Sequence, residues 1–169
     1  DDLIASDKGV NPILDFKRFL GLTLEGDVSV AREADFDSTV GFYKIKNANG
    51  AVTDPVTGSL ITPGTEGYSV AALDSSNLYS SFGTLSTVDD STVKNSISSF
   101  SDFEMLAPYA SVSNTGKTYF AFADANADGL SHFREFGNGT IGFEDTYGGG
   151  DQDFDDLILG FDFKLSLDR

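Results

Sequence analysis

Asp124-Ala125-Asn126-Ala127-Asp128-Gly129 sets three side-chain oxygens at alternate positions ahead of a glycine. That D-x-N-x-D-G order matches the opening of a calcium loop, in which alternate oxygens converge on one centre and the glycine permits a sharp turn. Calcium takes six to eight hard oxygens at about 2.3–2.6 Å, so Asp124, Asn126 and Asp128 would supply only part of a shell. Glu135 falls at the twelfth position counted from Asp124. No helical pattern flanks the loop, so an EF-hand is not expected. An Asx-rich turn is the plain alternative for the same residues.

A second acidic segment follows. Glu144, Asp145, Asp151, Asp153, Asp155 and Asp156 put six carboxylates within thirteen residues, beside Gly148-Gly149-Gly150. So many like charges raise one another's pKa and repel unless a cation neutralises them. The spacing of two between Asp151, Asp153 and Asp155 would aim them to one side of an extended chain and turn Phe154 inward. The three glycines can take positive φ and bring backbone close to an ion or ligand. Gly148, Gly149, Gly150, Gln152 and Tyr147 are the expected ligand-contacting positions. A solvated acidic loop is the alternative.

Other signals are weaker. Arg32, Glu33, Asp35 and Asp37 crowd ahead of a strand, where a surface ion pair is as good a reading as a site. Asn47, Asn49 and Asp54 read as turn formers before ligands, and Asn138-Gly139-Thr140 fits a short, unspecific glycosylation pattern. Tyr43, Tyr68, Tyr79 and Tyr109 could line a pocket with Tyr147, but core or rim positions suit most of them. The single histidine, His132, is expected to pack or face solvent. With no HExxH, GxSxG or P-loop pattern, the chain is not expected to be an enzyme; a glycosidase-type carboxylate pair is the residual possibility.

The elements that must hold these loops are short strands. Leu22, Leu24, Val28 and Val30 alternate, with a Gly-Asp turn expected at Gly26-Asp27. Val40–Ile45 reads as a strand, Asn47–Gly50 as a turn, residues 53–68 as turn-rich, and Tyr68–Leu73 as a helical turn. Ile13, Leu14, Phe16, Phe19 and Leu20 fit one short helix after Pro12. Residues 74–100, rich in Ser, Thr and Asp, read as a long surface loop broken by a strand or two near Val93, Ile97 and Phe100. Strand character returns at Met105–Tyr109, Thr118–Ala123 and Ile141–Glu144, and is strongest over Phe154–Leu167. Short strands and frequent turns predict an all-β antiparallel sandwich, jelly-roll-like, with long calcium-binding loops and one or two short helices.

Composition sets the outer bounds. At 169 residues with 40% hydrophobic content, the chain fits one domain, 1–169, with a proper core. Fifteen Phe and no Trp predict a core built on Phe. Twenty-seven acidic residues against eleven basic ones, a formal charge of −16, argue against nucleic acid and anionic membranes as partners. Absence of Cys excludes disulfides, thiolate zinc sites and a Cys nucleophile. No apolar run approaches the ~20 residues of a membrane helix. The ends at Asp1 and Arg169 read as those of a domain cut from a larger surface protein.

GFEDTYGGGDQDFDDLIL at 142–159 resembles the signature GFEDxxGGGDxDxxD of a bacterial domain-of-unknown-function family found in cyanobacterial and marine surface proteins, often beside RTX-type calcium repeats. VAREADFDSTVGFYKI at 30–45, DPVTGSLITPGTEGY at 54–68 and YFAFADANADGLSHFREFGNGT at 119–140 look similar too. The resemblance implies a β-rich, secreted or cell-surface module carrying several Ca2+ ions. It is similar to peptide-binding modules of RTX adhesins, in which calcium helps to capture a partner's C-terminal carboxylate. The expected function is thus calcium-dependent adhesion to a peptide or glycan on another cell surface. The alternative is a calcium-rigidified structural spacer between neighbouring domains of one long chain.

Overall fold

A computed structural model describes residues 4–7, 10–19, 21–100 and 104–166. Its strands are, in chain order, β1 (Ile4–Asp7), β2 (Val10–Asp15), β3 (Leu24–Arg32), β4 (Ser38–Ile45), β5 (Val52–Thr53), β6 (Leu60–Ile61) and β7 (Leu78–Tyr79). They continue with β8 (Ser91–Phe100), β9 (Met105–Val112), β10 (Lys117–Phe120), β11 (Phe133–Gly137), β12 (Thr140–Phe143) and β13 (Leu157–Leu165). One short helix, α1 (Tyr68–Ala72), and three 3-10 turns complete the described elements. The fold is all-β, with antiparallel pairing in every described ladder.

Eleven strands form one sheet along the path β7-β4-β9-β2-β11-β12-β13-β3-β8, with β1 on β2 and β10 on β9. Four strands separate β4 from β13 on that path. At about 4.8 Å per strand a flat sheet would hold them roughly 24 Å apart. Instead the Phe42 and Phe161 rings meet with centroids 5.8 Å apart. The sheet therefore folds over on itself into a sandwich, and β2 is the corner: Val10 pairs with Arg134 on one side and Leu14 with Leu106 on the other. The filling is aromatic, as the composition predicts: Phe16, Phe42, Phe82, Phe133 and Phe143 are all buried in it.

The half containing β2, β4 and β9 is covered on both faces. Val40, Phe42, Leu14 and Leu106 face the sandwich interior. Tyr43, Ile45, Ile13 and Met105 face a second cluster with Tyr68 and Ala71 of α1 and Val52 of β5. This explains one correction. Residues 13–19 form no helix after Pro12; Val10–Asp15 is a strand, followed by a 3-10 turn at Lys17–Phe19. A strand buried on both faces carries adjacent apolar residues, and that run mimics helical spacing. Leu20 lies outside the described residues.

One further expectation changes. Gly26-Asp27 is no turn: β3 runs straight through, with a register shift between Leu24 and Gly26 against β8. A Cβ at Gly26 would lie 2.0 Å from the Asp162 carbonyl oxygen of β13, so glycine marks a close approach of backbones. Within residues 74–100, the strand expected near Val93, Ile97 and Phe100 is the ten-residue edge strand β8, and β7 precedes it; the Ser and Thr of β8 suit a solvent-facing strand. Asn138-Gly139 is the tip of the β11–β12 hairpin, with φ of 53° and 71°, the left-handed pair that a tight hairpin requires. The expected strand at Ile141–Glu144, β4 and α1 stand close to their sequence readings.

Candidate metal centre

The acidic segment is the loop of the β12–β13 hairpin. Phe143 pairs with Leu157 at the end of that ladder, so one further step along the same register sets Glu144 opposite Asp156. Like charges placed opposite one another across strands are destabilising, and here the repulsion is not relieved by solvent. Glu144 and Asp145 are only 2% and 5% exposed. The Asp145 amide donates to Asp156 Oδ2 at 2.8 Å.

Carboxylate oxygens of Glu144, Asp145 and Asp156 all lie within 4.8 Å of one another, and so do those of Glu144, Asp151 and Asp153. No described Lys or Arg forms an ion pair with any of these five; the described pairs are Arg32–Asp37, Lys164–Glu25 and His132–Asp128. Glu144 Oε2 is buried without a hydrogen-bond partner. Burial, then the nearby Asp156 and Asp151, push the Glu144 carboxyl up to about 8. Burial and Asp156 push Asp145 up to about 6. A divalent cation would reverse both shifts, because it favours the ionised form. An all-oxygen carboxylate set suits a hard cation such as calcium rather than zinc or copper.

The loop backbone is not the extended ribbon expected from the Asp spacing. Tyr147–Gly149 is a 3-10 turn, and Gln152 and Phe154 take φ of 61° and 59°. The chain corkscrews, and the Asp153 and Asp155 amides donate to the carboxylates two residues earlier at 3.4 and 3.3 Å. Phe154 does point inward, buried beneath the Arg134 guanidinium, 4.2 Å from its ring centre. Asp155 joins neither carboxylate group. Gly150 approaches the site most closely: a Cβ there would lie 2.6 Å from Glu144 Oε1. Gly149 is buried, whereas Gly148, Gln152 and Tyr147 are exposed.

The first loop behaves differently. Asp124 and Asp128 belong to neither carboxylate group. Asp124 is exposed. Asn126 is turned inward; its Oδ1 accepts from Phe120 N at 2.8 Å, and its amide donates to the Phe120 and Leu130 carbonyls at 2.8 and 2.7 Å. Asp128 Oδ2 meets His132 Nε2 at 2.7 Å and accepts from Gly148 N at 2.9 Å, while Oδ1 accepts from Leu130 N at 3.2 Å. Burial pushes the Asp128 carboxyl up, but the hydrogen bonds from Gly148, His132 and Leu130 outweigh it and hold it below its ordinary value.

His132 was expected only to pack or face solvent, and its role goes further. It is fully buried, stacked on Tyr119 with ring centroids 3.9 Å apart. Nδ1 meets the Glu144 carbonyl at 2.7 Å and Nε2 meets Asp128. A carbonyl only accepts, so it is Nδ1–H that donates to Glu144 O. His132 and Asp128 thus form a clamp that fixes the first loop to the base of the second. The sequence signal is the i, i+4 spacing of Asp128 and His132. Of the tyrosines, Tyr43, Tyr68 and Tyr79 are core and Tyr109 is half-buried. Tyr147 alone lies in the acidic loop, half-exposed, with Lys117 Nζ 4.6 Å from its ring centre.

The comparisons with known proteins meet this geometry in the second half of the chain. Residues 88–164 match a family model described as Domain of unknown function (DUF4114). The match runs from the start of β8 into β13 and takes in both loops and the His132 clamp, somewhat less than half of the chain. No curated protein and no solved structure matches. Among the described residues no helix is long and apolar enough to cross a membrane.

Proposed function

We propose that this chain is a calcium-dependent ligand-binding module of a secreted or cell-surface protein, not an enzyme. It captures a peptide C-terminal carboxylate or a glycan through calcium held on the acidic loop. The observation that carries this reading is Glu144 Oε2, a buried carboxylate oxygen without a partner amid four more carboxylates. A charge buried in that way is costly unless something pairs with it, and the burial of Glu144 beside exposed Asp151 and Asp153 suits an ion gripped from below and open above. An open position on calcium accepts carboxylate or paired hydroxyl oxygens directly. Lys117 beside Tyr147 adds a cationic, aromatic rim suited to an anionic ligand.

The resemblance at 142–159 to RTX-associated surface domains supports the adhesive reading and the partner on another cell. A calcium-rigidified spacer is the second reading, favoured by the near-complete burial of Glu144 and Asp145. Peptide and glycan arrays probed with the calcium-loaded chain, and again in chelator, separate the two. A hit lost in chelator supports capture. Arrays without hits, together with a retained calcium-driven rise in Tm, support the spacer.

A further inference from the structure

We infer that Glu144 bridges two divalent cations: an inner one held with Asp145 and Asp156, and an outer one held with Asp151 and Asp153. This rests on the reading of the acidic loop as a calcium site and adds its stoichiometry and a division of labour. The two carboxylate groups share Glu144 and no other residue. Within each, three oxygens lie no more than 4.8 Å apart, so a common centre lies within about 2.8 Å of each, close to the calcium–oxygen distance of about 2.3–2.6 Å. Oε2 of Glu144 is buried and unpartnered, while Oε1 faces Gly150. A carboxylate with two oxygens and two sets of partners is suited to bridging.

Charge favours the second ion. Five carboxylates without a described ion pair, once ionised around a cation, bring five negative charges. One divalent cation leaves three of them uncompensated, and two leave one. The two ions would also differ in access. Glu144 and Asp145 are buried and Asp156 half-buried, whereas Asp151 and Asp153 are exposed. The inner ion is the structural rivet between the strand ends; the outer ion exchanges with solvent and meets the ligand.

The test uses the full chain, stripped of metal and titrated with calcium chloride, with ions per chain counted by native mass spectrometry and calorimetry. Glu144→Gln keeps shape and should lose two ions relative to wild type. The paired exposed changes Asp151→Asn and Asp153→Asn should lose one ion, the weaker, and keep most of the calcium-driven rise in Tm. Asp156→Asn should lose the tighter ion and most of that rise, with circular dichroism confirming the fold. Loss of a single ion in Glu144→Gln, or of none in the Asp151/Asp153 variant, overturns the bridge. Array hits that persist while the bridge fails would leave ligand capture standing. A confirmed bridge with arrays that stay silent would sink capture alone.

Discussion

The loops at 124–129 and 144–156 both read as calcium ligands in the sequence and are physically opposite. In the first, Asn126 and Asp128 together make six polar contacts within the fold, and their oxygens are occupied by backbone and histidine. In the second, a buried Glu144 oxygen finds nothing. A calcium-like spacing becomes a candidate site only where the fold leaves its oxygens unsatisfied. The first loop here is a fastener, binding to Gly148 and, through His132, to Glu144; the second is what it fastens.

The largest expected effect separates the loops through the cation itself. An ion that binds only the folded state stabilises it by about 2.7 kcal/mol at a hundredfold excess over its Kd. For a domain of this size that is a Tm rise of about 5–11 °C per ion, measured by calorimetry with calcium against chelator. Glu144→Gln should abolish the rise. Next, Asn126→Ala should cost about 2–3 kcal/mol, since it strands buried backbone groups, yet leave the calcium-driven rise intact; urea unfolding with and without calcium measures both. A rise lost in Asn126→Ala would erase the contrast between the loops.

A smaller effect concerns pH. In the metal-free chain the Glu144 and Asp145 carboxyls sit at about 8 and about 6, above their ordinary values of 4.5 and 3.8. Between those limits the folded state holds more protons on these two groups than the unfolded state, so their contribution to stability is full below about pH 4 and declines as pH rises towards 8. Calcium should flatten that decline, and Tm measured across pH 5 to 8 checks it. The smallest effect belongs to exposed Asp124: Asp124→Asn should change stability by less than about 0.5 kcal/mol and leave calcium binding unaltered.

Much of this was legible in the residues, and the failures have physical causes. Alternation at Leu157–Leu165 marks a strand because one face meets the sandwich interior. It fails at Ile13-Leu14, which serve two different clusters. Asp151 and Asp153 stand out by composition, but their approach to Glu144 follows only from the turned backbone of the loop. Asp128 and His132 sit at helical spacing without a helix, so nothing in the pattern separates a clamp from a ligand. Asn126 matches a ligand's type and position, and only its inward rotation reveals a different task.

One measurement addresses the central claim directly: a crystal structure grown in calcium, with anomalous differences mapped over the β12–β13 loop. The account predicts an anomalous peak within about 2.3–2.6 Å of Glu144 and at least two of Asp145, Asp151, Asp153 and Asp156. Water alone between those oxygens, at saturating calcium, would contradict it.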